Sequence, residues 1–291
     1  MNDALHIIAD KELNLLDISA KAQALSSLES GKVIYLPNYS FSLKPNEYDL
    51  LSDDILAPRQ KNISYDYNRE HLNGFADPHY SSTLQAFMHR YAEFSKHLLD
   101  KTLAHYQDEL IWGRTSYRPA QIKGRTSSAL KDDTRLHVDS FSATPVNGLR
   151  ILRVFCNINP AGEPRVWELG ESFNEVLTQF SARIPSYSAL RAHVLKWSKT
   201  TKTLRSPYDH YMLQLHNQMK LDTAYQHNIN KTRVDFPPQS TWIVYTDQVS
   251  HAALSGQFLL EQTFYLPVNA QQNQDTSPLR QWEKLKKRPL I

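Results

Sequence analysis

The run Leu149-Arg-Ile-Leu-Arg-Val-Phe-Cys-Asn-Ile158, bounded by Gly148 and Pro160, constrains this chain more than any other feature. Branched and aromatic residues so concentrated between two chain-breaking residues predict a buried strand. Trp242-Ile-Val-Tyr-Thr246 and Phe258-Leu-Leu-Glu-Gln-Thr-Phe-Tyr-Leu266 have the same texture, and Lys32-Val-Ile-Tyr-Leu36, stopped by Pro37, adds a short early strand. A different period rules upstream. Leu84, Phe87, Met88, Tyr91, Phe94, Leu98 and Leu99 recur at helical spacing, so the sequence predicts a long amphipathic helix over 82–105. Between the strands, the polar segment of about 170–235 carries mixed helical patterns and an aromatic group at Tyr208, Tyr211 and Tyr225. Helix early and strands late, without βαβ alternation, favour an α+β fold. No repeat, linker or low-complexity tract divides the chain. The reading is therefore one domain over 1–291, helical in its N-terminal part (about 1–110) and strand-rich in its core (about 111–270).

Composition narrows the function classes. A formal charge of +3 over 291 residues gives no bulk pull toward nucleic acid, and no nucleic-acid partner is expected. Cys156 is the only cysteine, which excludes an internal disulfide, a zinc ribbon and a CxxC redox site, and makes a reducing compartment the natural setting. Met1 to Ala20 has acidic residues and no basic start before an apolar run, unlike a secretory signal. No stretch reaches the roughly 18 apolar residues that span a bilayer. The run Glu283-Lys-Leu-Lys-Lys-Arg288 has two readings: a solvated terminal helix, or a surface that meets anionic lipid.

The chemistry is carried by Leu136-His-Val-Asp139. In extended chain, residues two apart share a face, so His137 and Asp139 can aim an imidazole and a carboxylate at one point. A late histidine would complete a two-histidine, one-carboxylate face, which suits Fe(II) because three positions stay open for a bidentate cosubstrate and O2. An HxD triplet alone is weak evidence in a chain with 12 histidines, most of which serve surface or core. Among the late histidines, His216 lies in Met212-Leu-Gln-Leu-His216, and His210 and His227 lie in polar, helical or loop surroundings. His251 stands between two predicted strands, before Ser255-Gly256, and is preferred; a satisfied polar histidine at a turn is the competing reading.

Such an iron needs a two-electron donor, of which 2-oxoglutarate is the usual one, and its far carboxylate needs a cation. Arginine suits because its planar fork binds carboxylates through two charge-assisted hydrogen bonds. Many enzymes of this kind place that arginine shortly after the distal histidine, yet Phe258 to Tyr265 contains no basic residue. Arg150 and Arg153 lie in the strand after HxD and face opposite sides. Arg153 is the expected anchor. Arg118 and Trp167 are supporting candidates, against which stand a structural ion pair and a core aromatic. From Arg114 to Arg165 the chain is locally basic, with Arg125 among its cations, which hints at an anionic substrate.

Several longer runs carry a specific likeness. Lys61-Asn-Ile-Ser-Tyr-Asp66, Lys131-Asp-Asp-Thr-Arg-Leu-His-Val-Asp139, Arg150-Ile-Leu-Arg-Val-Phe155, Asn159-Pro160 and Gly170-Glu171 resemble the 3-deoxy-D-manno-oct-2-ulosonic acid (Kdo) hydroxylase family. So do Arg205-Ser-Pro-Tyr-Asp-His-Tyr-Met-Leu-Gln-Leu-His216, Thr246-Asp-Gln-Val-Ser-His251 and Leu260-Glu-Gln-Thr-Phe264, in order along most of the chain. The resemblance implies a jelly-roll, cupin-like double-stranded β-helix with N-terminal and inserted helices. It implies an Fe(II)/2-oxoglutarate dioxygenase, stimulated by ascorbate, that converts Kdo on lipid A to its 3-hydroxylated form with release of succinate and CO2. His137, Asp139 and His251 match its metal triad, and Arg118, Arg153 and Trp167 lie in motifs matched to cosubstrate contacts. The implied substrate places the enzyme in the cytoplasm, peripheral on the anionic inner membrane. Two rivals are a cupin-like zinc or manganese hydrolase or isomerase on a sugar acid, and a non-catalytic lipopolysaccharide-binding protein that keeps the barrel.

Overall fold

The computed structural model describes residues 3–9, 13, 16–124 and 126–291; Arg125 and parts of the Met1–Ala20 stretch lie outside these. The strands are β1 (Leu5–Ile7), β2 (Val33–Leu36), β3 (Ile63–Asp66), β4 (His71–Asn73), β5 (Ile111–Arg118), β6 (Arg150–Asn157), β7 (Arg165–Leu169), β8 (Thr232–Phe236), β9 (Thr241–Tyr245), β10 (His251–Ser255) and β11 (Leu259–Leu266). The helices are α1 (Ile18–Glu29), α2 (Ser81–Thr102), α3 (Phe173–Phe180), α4 (Ala189–Trp197), α5 (Pro207–Leu221), α6 (Thr223–Asn228) and α7 (Pro278–Lys286). Two sheets face each other: a large one ordered β1-β2-β9-β6-β11-β5-β3-β4, and a small one ordered β10-β7-β8. This is the jelly-roll, α+β architecture.

The predicted strand around Leu149–Ile158 is β6, and it lies in the middle of the large sheet between β9 and β11. All its residues are buried, which explains why it reads as a continuous apolar run. Its two faces do different work. Leu152 and Val154 meet α1 and α2 on the outer side, in a cluster with Leu25, Leu28, Leu98 and Leu99. Phe155, on the inner side, packs with Trp167, Val234, Phe236, Trp242, Val244 and Leu259 between the sheets. Arg150 and Arg153 divide by the same parity, as expected. Helix α2 seats Leu84, Phe87, Met88, Tyr91 and Leu98 with no exposed surface, each such side chain worth roughly 1.5–3 kcal/mol. Helices α3, α5, α6 and α7 cover the outer side of the small sheet around Val138, Tyr211 and Trp282.

The expectation of a helical N-terminal part needs correction. That part supplies α1 and α2 but also β1 to β4, which form both ends of the large sheet. The predicted early strand is β2; β1, β3 and β4, of three or four residues, are too short to show a period. Of the 170–235 segment, α3 to α6 account for the helical patterns; Tyr208, Tyr211 and Tyr225 are buried against the small sheet's cover.

Candidate metal centre

Leu136 to Asp139 is extended, but it forms an isolated bridge rather than a regular strand. His137 N–H donates to the His251 carbonyl (3.0 Å) and His251 N–H donates back (2.9 Å), while Asp139 N–H donates to the Thr246 carbonyl (2.7 Å). The segment thus extends the small sheet past its edge strand, β10. On its other side, the Gln226 amide accepts from Leu136 N–H and donates to the Leu136 carbonyl, both at 2.9 Å. Leu136 and Val138 point into the apolar cluster under α5, so His137 and Asp139 point the other way, between the sheets.

The structure brings His137, Asp139 and His251 together, with one ligand atom of each within 4.8 Å of the others. Nε2 of His137 lies 3.7 Å from Oδ1 of Asp139. Both imidazoles are oriented by main-chain carbonyls: His137 Nδ1 sits 2.8 Å from the Arg135 oxygen, and His251 Nδ1 2.8 Å from that of Val249. A carbonyl only accepts, so each Nδ1 carries the proton and each Nε2 keeps its lone pair for the shared space. Burial pushes the His137 imidazole well below its usual range, with His251 adding to the effect. Burial also lowers His251, against the pull of Asp139. Burial works against the Asp139 carboxylate, yet Arg153, His251 and His137 hold its pKa below the ordinary value. Two neutral imidazoles and one carboxylate, none more than 9% exposed, are the donor set a divalent ion takes. Asp139 Oδ2 accepts no hydrogen bond but lies 3.1 Å from Arg153 Nη1.

A cavity of about 190 Å3 adjoins these residues. Arg118, Arg153, Arg165 and Trp167 line it, with Phe141 and Phe155 as apolar walls. Arg153 Nη1 bridges Asp139 and Glu261 (3.3 Å), and Arg118 makes a forked pair with Glu261 Oε2 (Nε 3.0 Å, Nη2 2.8 Å). Burial opposes ionisation of Glu261, but Arg118 and Arg153 outweigh it and lower its pKa. The competing readings for Arg118 and Trp167 are thus visible beside the binding ones. Arg118 does sit in an ion pair, and Trp167 is packed among Phe155, Phe236 and Trp242. Trp167 also stacks on His251 at 5.0 Å, and its buried indole N–H has no hydrogen-bond partner.

Two residues near His137, Asp139 and His251 were missed as contacts. Arg165 lines the cavity and donates to the Gly256 carbonyl (3.0 Å). It stands two residues from Trp167 in one strand, so alternation alone could have found it. His216, passed over as a ligand, projects from α5; its ring lies 5.1 Å from His137 and its Nδ1 2.8 Å from the Val138 oxygen. No local pattern reveals that contact. His210 instead bonds the Pro185 carbonyl, and His227 that of Thr223. A larger groove of about 1050 Å3, between α3 and α7, contains none of these groups.

Gly256 fixes the Arg165 end of the cavity. Its φ is +117°, and a Cβ there would lie 2.8 Å from Arg165 Cδ and 2.9 Å from Arg165 Cα. Gly256→Ala is expected to cost on the order of 1–3 kcal/mol, measured by urea unfolding, and to push β7 outward. An unchanged unfolding midpoint would contradict this account.

The model for the Kdo hydroxylase family, described as 3-deoxy-D-manno-oct-2-ulosonic acid (Kdo) hydroxylase, matches residues 14–289. Among solved structures, a Kdo hydroxylase KdoO with cobalt(II), described as a non-haem Fe(II) α-ketoglutarate-dependent dioxygenase, is 41% identical. Its TM-score is 0.95, covering 99% of this chain and 97% of that one. KdoO structures with α-ketoglutarate and Fe(III), and with succinate and Fe(III), each match at 40% identity and TM-score 0.94, with the same coverage. A search of curated proteins found no match.

Proposed function

The chain belongs to the Kdo hydroxylase family, and on that premise we propose that it hydroxylates carbon 3 of Kdo carried on lipid A. It is an enzyme, an Fe(II)- and 2-oxoglutarate-dependent dioxygenase acting on Kdo, and not a metallohydrolase or a binding protein. The observation that carries the site assignment is the meeting of His137, Asp139 and His251 within 4.8 Å, beside an arginine-lined cavity.

In this reading the three side chains hold Fe(II) through two Nε2 atoms and one carboxylate oxygen. The bound iron, with 2-oxoglutarate and O2, supplies the oxidising power for hydroxylation, and the cosubstrate leaves as succinate and CO2. The protein's part is positional. The Arg135 and Val249 carbonyls keep the imidazoles in one tautomer, and Arg153 holds the second oxygen of Asp139. Arg118, Arg153 and Arg165 balance Asp133, Asp139 and Glu261 around the cavity. A doubly charged cation and a dianionic keto acid therefore enter together without leaving net charge, which limits the desolvation penalty. Arg153 takes the far carboxylate, with Arg118 and the unpartnered indole N–H of Trp167 as further contacts. Phe141, Phe155 and Trp167 exclude water from the reacting carbon.

Arg153→Ala is expected to weaken Fe(II) affinity by roughly 10–100-fold, because it frees Asp139, and to raise the Km for 2-oxoglutarate. Metal titration and steady-state kinetics read the two effects separately. Unchanged values in both would remove Arg153 from the site.

Attachment to lipid A is supported by chemistry: Kdo carboxylate and lipid phosphates are anions, and the chain around the site is basic. Among the described residues no helix is long and apolar enough to cross a membrane. The reading is a peripheral enzyme on the cytoplasmic face of the inner membrane, where such a substrate presents its sugars. Incubation with Fe(II), ascorbate, 2-oxoglutarate and Kdo-bearing lipid A should release succinate and add one oxygen to the Kdo unit by mass spectrometry. Succinate release that is indifferent to the Kdo lipid would contradict the substrate assignment.

A further inference from the structure

Helix α4 stands apart from the other helices in what it shows to solvent. Leu190, Val194 and Trp197 are 77%, 52% and 86% exposed, and their spacing places them on one helix face. Ala192 is the buried contact of the same helix. Large apolar side chains aligned on one exposed face signify an interaction surface, whereas the same residues scattered singly would not.

The charges along the segment that carries α4 have one sign. Between Glu175 and Asp209 the sequence contains no aspartate or glutamate, while Arg191, Lys196, Lys199 and Lys202 are all exposed. Among the described residues none of these four forms an ion pair. An apolar stripe flanked only by unpaired cations is the pattern of a helix lying in the headgroup region of an anionic bilayer. A protein partner would need a strongly acidic groove of matching shape; a bilayer presents negative charge and apolar depth together.

The segment is also tied to the metal centre. Lys202 N–H donates to the Ala143 carbonyl (2.9 Å), and Arg205 Nη2 to the Ser142 carbonyl (2.6 Å). Those acceptors belong to the loop that follows Asp139, whose Phe141 lines the cavity. We propose that α4 is an interfacial docking helix for anionic phospholipid, with Leu190, Val194 and Trp197 entering the acyl boundary and the flanking cations meeting phosphates. This places the membrane contact on α4 rather than on the basic run at 284–288. That run belongs to α7 and its end, a helix anchored by buried Trp282. The inference rests on the reading of the substrate as a lipid-linked sugar, and names the surface that meets the lipid.

The test uses the full chain and vesicles of phosphatidylglycerol with phosphatidylethanolamine, against pure phosphatidylcholine. Wild-type protein should sediment with the anionic vesicles, and its tryptophan emission should shift to the blue, because Trp197 is the strongly exposed indole. Leu190→Ser with Trp197→Ser should lower the vesicle partition coefficient by at least about tenfold and remove the shift. Since both residues are exposed, thermal unfolding should be unaltered. Turnover of a water-soluble Kdo glycoside should be unchanged in that variant, while turnover of Kdo-lipid A embedded in anionic vesicles falls. Absence of binding to anionic vesicles would overturn the proposal. So would binding that survives the double variant but is lost in Lys284→Glu with Lys287→Glu, or a concentration-dependent dimer without lipid that the double variant abolishes. Failure of wild-type protein on every Kdo substrate would instead strike the activity, leaving vesicle binding to be judged separately.

Discussion

Asp139→Ala is expected to lose iron and turnover together, with Fe(II) affinity falling by at least about 100-fold, since losing only a supporting partner of a ligand already costs up to that much. The carboxylate is the sole anion of the proposed donor set, and its removal leaves two neutral imidazoles facing a divalent cation. The protein itself should survive. Arg153 still has Glu261 at 3.3 Å, so the buried guanidinium is not stranded. The measurement is iron content after anaerobic loading, with succinate release and thermal unfolding on the same samples. A folded Asp139→Ala protein that keeps a full equivalent of iron would show that the carboxylate is no ligand.

The largest stability effect is expected away from the chemistry, at Asp247. Arg150 has no exposed surface, lies over the Tyr245 ring at 3.8 Å, and donates to Asp247 from Nε (2.8 Å) and Nη2 (3.3 Å). Gln271 accepts from Nη1 and Gln248 from Nη2, each at 2.7 Å. Asp247→Ala strands that charge in the interior, and breaking a buried pair from one side costs about 3–5 kcal/mol. The unfolding temperature should fall by on the order of 10 °C. Replacing both partners with apolar residues of similar volume, Arg150→Met with Asp247→Leu, should recover much of the loss, because no unpaired charge remains. A neutral Asp247→Ala would mean that the arginine finds water or another acceptor.

The two arginines of β6 show what local sequence can reveal. Their opposite faces follow from strand periodicity alone, and the structure places Arg150 on the side covered by helices and Arg153 between the sheets. Their partners were not legible. Asp139 and Glu261 reach Arg153 from another segment and another strand, and only the closed fold brings those together. Strands β6, β9 and β11 stood out because burial on both faces favours apolar side chains along most of their length. By contrast β10, His-Ala-Ala-Leu-Ser, has small residues and little strand character; its place is set by pairing with β7 and with His137. His251 was therefore selected from its position between strands, without the bridge that aligns it. Arg165 shows a missed local signal, since its neighbour Trp167 was singled out from the same strand face. His216 shows the reverse case, a helix side chain whose approach to His137 is purely tertiary.

Anomalous diffraction at the iron edge, from crystals grown anaerobically with Fe(II) and 2-oxoglutarate, tests the central claim most directly. The account predicts one iron peak per chain, in bonding reach of Nε2 of His137 and His251 and of an Asp139 oxygen, with the remaining positions filled by the keto acid and solvent. Iron bound elsewhere, or held at this cavity without His251, would contradict it.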